Sequence, residues 1–127
     1  MNHIIIYLIL ITIIIICFVF LHKNYVDHNV FNNLYVNQSQ IDGGGRGIYT
    51  NTDLKKGTFL FYTIIDKNVT PPGAMINHCN KPNCYHFKKN NKWLLYSIKN
   101  IPKNKELLID YNNSPEFIKK PDPSWTC

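Results

Sequence analysis

Four side chains able to bind a metal or act as nucleophiles fall within nine residues of this chain: His78, Cys79, Cys84 and His86. Zinc accepts such ligands, but neighbours as close as His78 and Cys79 rarely close one tetrahedron. The spacing also lacks the paired two-residue gaps of structural zinc modules. No metal site is therefore expected, and a small zinc-binding protein is the outlying alternative. Upstream, Gly43-Gly44-Gly45-Arg46-Gly47 lacks a Cβ at four of five positions. Such a backbone can approach a ligand closely and take positive φ, though the same residues also suit a plain turn. A dinucleotide loop would need a helical period after Gly47, and none follows. Downstream, Glu106-Leu107-Leu108-Ile109-Asp110-Tyr111 alternates like a strand that ends on an aromatic.

These residues need short strands and turns to position them, and the sequence supplies no long helical period after residue 34. Tyr35 to Ile41 alternates weakly, Gly47 to Thr50 continues from the glycine loop, and Thr58 to Ile65 is β-branched and aromatic enough for a buried strand. Cys84 to Lys88 and Trp93 to Ile98 flank Asn90-Asn91, a plausible hairpin turn because Asn tolerates positive φ. Ser114-Pro115-Glu116-Phe117 has the N-cap and first-turn proline of a short helix.

The N-terminal part is of another kind. Ile4 to Leu21 carries no charge, and about eighteen helical residues rise about 27 Å, close to a hydrocarbon core. A cleaved leader fits less well: no Lys or Arg precedes the run, and Phe20-Leu21-His22-Lys23 offers no small-residue cleavage pattern. The expected organisation is a transmembrane anchor over residues 1–22, a polar stalk over 23–34 and one domain over 35–127. The formal net charge of +6 attracts acidic partners, but no Arg cluster or aromatic ladder is apparent, so direct nucleic-acid recognition is not expected. Cys17 lies in the apolar run, leaving Cys79, Cys84 and Cys127; this odd count favours reduced thiols in a cytosolic compartment over a disulfide framework.

Taken in order, Gly43 to Tyr49, Ile76 to Cys84 and Glu106 to Asn112 resemble the SET domain of protein lysine methyltransferases, in a compact form like that of large DNA viruses. The resemblance implies a mainly β fold with a C-terminal segment threaded as a pseudoknot, here preceded by one transmembrane helix. It implies S-adenosyl-L-methionine as cofactor and a lysine side chain of a protein, such as a histone, as substrate. Gly45, Arg46 and Gly47 match the step that touches the methionine end of the cofactor. Asn77 and His78 match the contacts to its adenosine portion, and Tyr111 matches the catalytic tyrosine, which also borders the cofactor. Asp53 to Gly57 matches the turn that follows the glycine-loop strand.

The departures from the pattern are local. Asn80 stands where the family's zinc site has a cysteine, and Asn104 where a glycine is usual. Only Thr63 to Ala74 fills the place of a longer insert that builds much of the substrate groove. The tail aromatics Phe117 and Trp125 suit either a cover over the site or plain packing. The expected protein is a membrane-anchored methyltransferase whose domain faces the cytosol. The alternative is a catalytically inactive binding module of the same fold, tethered to a membrane.

Overall fold

The computed structural model describes residues 2–31, 33–125 and 127, with side chains described outside 20–31. The chain divides into two compact units, Met1–Asn32 and Asn33–Cys127. The first is a single helix, α1 (His3–Phe31), whose described apolar side chains are all exposed. Among the described residues no helix is long and apolar enough to cross a membrane. The expected transmembrane anchor is thus unsupported among the described residues. The side chains of the expected stalk up to residue 32 lie outside the described residues.

The second unit is built from short strands. β1 (Leu34–Gln38) pairs antiparallel with β2 (Arg46–Thr50), Leu34 opposite Thr50 and Gln38 opposite Arg46. A four-stranded antiparallel sheet follows in the order β4 (Asn68–Val69), β3 (Phe59–Ile65), β7 (Lys92–Ser97), β6 (Cys84–Lys89). The β6–β7 turn forms at Asn90-Asn91 as expected, with Asn90 at φ +56°, a conformation asparagine tolerates through local hydrogen bonding. Alternation along β6 turns Cys84 and His86 inward and Tyr85 and Phe87 outward.

The third sheet joins distant parts of the chain. β5 (Asn77–His78) runs parallel to β8 (Leu108–Ile109), with Asn77 opposite Leu108 and His78 opposite Ile109. On its other side the same C-terminal segment bonds to β2: Thr50 N–H donates to Lys105 O at 3.1 Å and Leu107 N–H to Ile48 O at 2.7 Å. Residues 105–109 are thereby inserted between the glycine-loop strand and the Asn77-His78 segment. Asn83 fastens the insertion, donating to Glu106 O at 2.7 Å and accepting from Leu108 N–H at 2.8 Å. Ile48, Ile76, Leu95, Leu107 and Ile109 pack around this junction as the core.

Two expectations fail here. The helix anticipated at Ser114–Phe117 is absent, and a single 3-10 turn spans Tyr111–Asn113 instead. Asp110 caps that earlier turn by accepting from Asn112 N–H at 2.9 Å, while the Ser114 hydroxyl is engaged by His86 at 2.9 Å. The thiols are not all reduced either. Cys79 and Cys127 form a disulfide, with Cα atoms 5.5 Å apart, because the C-terminal tail folds back over the Asn77-His78 segment. The odd cysteine of this unit is Cys84, fully buried and unpaired.

Candidate active site

Glu106 is the centre of the site, although the sequence reading gave it no role of its own. Its buried carboxylate accepts from Ser39 Oγ at 2.7 Å, Gln40 N–H at 3.0 Å and Asn77 Nδ2 at 3.0 Å. The Tyr49 hydroxyl lies 3.4 Å away. Burial, and then the Glu106 carboxylate beside it, push the Tyr49 phenol up from its ordinary pKa, so it remains a donor. A buried carboxylate needs this many partners to offset its desolvation. It thereby ties together the chain before the glycine loop, β2 and the Asn-His segment. The signal that could have found it is a charged residue opening an otherwise apolar strand.

Ser39 and Glu106 together shape the glycine loop. Ser39 N–H donates to Gly45 O at 2.8 Å and Gly44 N–H to Ile41 O at 2.9 Å, closing a tight loop. Gly43 and Gly45 sit at φ +72° and +64°, where a Cβ is strained. A Cβ on Gly44 would come within 2.8 Å of Ser39 Oγ, and one on Gly47 would collide with the Glu106 side chain.

This loop, Asn77, His78, Tyr111 and Trp125 enclose a cleft of about 200 Å³, with Ile41 and Asp42 at its margin. Of the six anticipated residues, Asn77, His78 and Tyr111 line it. Gly45, Arg46 and Gly47 do not; Gly43 and Gly44 take their place, because the loop curls back at Gly45 toward Ser39. Asn77 donates to Arg46 O at 2.9 Å as well as to Glu106, so it joins both walls. His78 is buried, and its Nδ1 accepts from Tyr111 N–H at 3.1 Å. Asp110 Oδ1 stands 3.6 Å from the same nitrogen.

Tyr111 hangs between two spaces. Its hydroxyl donates to Ile76 O at 2.7 Å, and burial raises its pKa above the ordinary value, keeping it a neutral hydroxyl. One side of the ring faces the cleft just described. It also lines a second, mainly apolar space of about 190 Å³ bounded by Ile64, Val69, Ile76, Ile109, Ile118 and the buried His86. His86 bonds Thr63 Oγ1 at 3.0 Å and Ser114 Oγ at 2.9 Å. Burial drives its pKa down to about 4.

The metal alternative finds no geometry. Among the described residues no three His, Cys, Asp or Glu side chains converge. His86 has both nitrogens engaged by hydroxyls, Cys79 is in a disulfide, and burial pushes the Cys84 thiol up to about 12.

The sequence profile of the SET domain matches residues 62–112. No curated protein matches the chain in sequence. Among solved structures, the Chaetomium thermophilum Polycomb Repressive Complex 2 is similar at a TM-score of 0.55 and 16% identity, over 65% of this chain and 16% of that one. A ctPRC2 structure in an autoinhibited conformation bound to S-adenosylmethionine gives 0.53 and 18%, over 65% and 16%. A candidate histone methyltransferase of Plasmodium falciparum gives 0.51 and 22%, over 65% of this chain and 95% of that one. The chain therefore spans only a small fraction of the Polycomb chains but nearly all of the Plasmodium one. Identities this low speak for the fold alone, and the fold agrees with the profile: residues 62–112 match the SET domain, and the unit that holds them has a SET-like fold.

Proposed function

We propose that residues 33–127 transfer a methyl group from S-adenosyl-L-methionine to a lysine side chain of a protein. The observation that carries this reading is Tyr111, a wall common to two spaces of different character. The cleft suits the cofactor: Gly43 and Gly44 place no Cβ between backbone and ligand, and Asp42 sets a carboxylate at the margin, favourable to a cationic sulfonium or ammonium group. When bound, the cofactor supplies a methyl group on a positively charged sulfur. The apolar space beyond Tyr111 suits the aliphatic stem of a lysine. Desolvation there favours the neutral amine, which is the nucleophile. The Tyr111 oxygen and Ile76 O lie 2.7 Å apart and both offer lone pairs that can orient that amine. The lysine gives its proton to bulk water before transfer, a loss that desolvation of the amine favours.

A second reading, a binding module that holds cofactor or peptide without turnover, is favoured by how little chain stands over the apolar space. Between Thr63 and Ala74 there is only the β3–β4 hairpin and the start of a 3-10 turn at Gly73–Met75. Radiolabelled S-adenosylmethionine with histones and total cell protein separates the two. Turnover by wild type that falls at least tenfold in Tyr111→Phe, with cofactor affinity kept, supports the enzyme. Cofactor binding without turnover supports the module, and a folded domain giving no heat with the cofactor refutes the enzyme.

Tethering of α1 to a membrane rests on the charge-free run Ile4 to Leu21, and a cytosolic domain rests on Lys23 after it, against the Cys79–Cys127 disulfide, a bond typical of oxidising compartments. Retention of the full chain in the membrane pellet after carbonate extraction is the expected result, and release into the supernatant removes the proposal.

A further inference from the structure

The face of the β3–β7–β6 sheet that turns away from His86 carries a grid of side chains with no role in the site above. Strand register sets three rows across it: Phe59, Tyr96 and Tyr85; Tyr62, Leu94 and Phe87; Ile65, Lys92 and Lys89. Register shifts between Phe59 and Phe61 and between Tyr62 and Ile64 bring every third residue of β3 to this face. The rings form one continuous surface. Phe59 lies 5.3 Å from Tyr62 and 5.4 Å from Tyr96, and Phe87 lies 5.5 Å from Tyr96 and 6.5 Å from Tyr85, centroid to centroid. Phe59, Tyr85 and Phe87 are 37%, 42% and 39% exposed, far more than packed core rings.

The charge on this face has one sign. Lys92 Nζ stands 4.9 Å from the Tyr62 ring centroid, and Lys89 is its cross-strand partner. None of the unit's carboxylates (Asp42, Asp53, Asp66, Glu106, Asp110, Glu116 and Asp122) lies within these three strands. Lys23 and Asp27 cancel in the helical unit, so the whole +6 belongs to residues 33–127. A second copy placed face to face would bring lysines toward a surface without acids, a poor electrostatic match.

We infer that this aromatic face binds single-stranded nucleic acid, its rings stacking on unpaired bases and its lysines meeting phosphates. Same-face residues stand about 6.8 Å apart along a strand, which gives each row room for one base. Stacking on sheet aromatics requires the base faces that a duplex hides, and tolerates any sequence. This inference does not depend on methyl transfer, because the grid lies on the opposite side of the sheet from Tyr111.

The test is fluorescence anisotropy of the full chain with labelled oligo-dT and oligo-U of about twelve nucleotides, beside a duplex of similar length. The expected result is single-strand binding tighter than duplex binding and weakened by salt. Tyr85→Ala with Phe87→Ala should weaken it by roughly tenfold or more. Tyr85→Leu with Phe87→Leu keeps apolar cover but removes the rings, and should weaken it similarly while leaving the circular dichroism and melting curve unchanged. The inference is overturned if wild type binds neither oligonucleotide, if duplex binds as well, or if folded ring variants bind as tightly as wild type. Concentration-dependent dimers of the protein alone, dispersed by the ring variants and with no oligonucleotide bound, would instead make the face a self-contact.

Discussion

Replacing Cys127 with serine should cost this small domain much of its stability. The Cys79–Cys127 link spans 48 residues, and in the loop-closure description a loop of that size removes roughly 14 cal/mol/K from the unfolded chain, or about 4 kcal/mol at 25 °C. Set against the 5–15 kcal/mol usual for a whole domain, the loss is large. At roughly 4–8 °C per kcal/mol for a domain of this size, the melting temperature should fall by roughly 15–30 °C. The assay compares thermal melts of oxidised wild type, reduced wild type and Cys127→Ser, followed by circular dichroism. Thiols titrated in denaturant without reductant should number two, Cys17 and Cys84, against all four after reduction. Cys127→Ser should melt with reduced wild type and ignore added reductant. Trp125 lines the cleft proposed for the cofactor two residues before the link, so freeing the tail should also weaken cofactor binding. Coincident melts of oxidised and reduced wild type, or four reactive thiols without reductant, would refute the reasoning.

Glu106→Gln substitutes a donor for one acceptor oxygen and leaves part of the Ser39, Gln40 and Asn77 set unpaired. At about 1–3 kcal/mol per orphaned buried group, urea unfolding should show a clear drop in midpoint and calorimetry a weaker cofactor. An unchanged midpoint would remove Glu106 from the centre of the site. His86 is held neutral in the fold, with its pKa lowered to about 4 from 6.5, so the unfolded chain binds the proton first. Its contribution is fully present above pH 6.5 and is lost as pH falls toward 4, by roughly 3 kcal/mol. Urea midpoints of wild type should decline across that window, and those of a folded His86→Gln variant should decline less. The sidedness of the chain is read from its Asn-x-Ser/Thr triplets at Asn37, Asn68 and Asn112. With the domain in the cytosol, glycosidase treatment of protein from eukaryotic cells should leave its mobility unchanged.

What the sequence disclosed was local in origin. The Asn90-Asn91 turn, the alternating strands around it and the order of the three motifs each depend on residues close together in the chain. Asn104, standing where the family favours glycine, takes φ +65°, a conformation short polar side chains tolerate. The failures are long-range. That Gly43 and Gly44 line the cleft is likewise a long-range effect, because Ser39 and Glu106, 67 residues apart, hold the base of the loop. Ser114 looked like a helix cap, but its hydroxyl is drawn to His86, 28 residues away. The disulfide depends on the tail returning to Cys79, which a count of cysteines does not foretell. The aromatic face escaped notice because β3 contributes at every third position across two register shifts, where an unbroken strand would show every second.

The insertion of residues 105–109 between β2 and β5 has a consequence for how the protein is made. During synthesis the glycine loop and the Asn-His segment leave the ribosome well before Glu106, the group that joins them. Until Glu106 emerges, Asn77 and Ser39 have no common acceptor, and the glycine loop and the Asn-His segment are not joined. The final strand must enter a gap whose two sides are already present, and pairings between distant segments close slowly. The cofactor site should therefore be among the last parts of the domain to mature. A chain cut short before Glu106 would keep the β3–β7–β6 sheet's sequence and yet have no place to bind a cofactor.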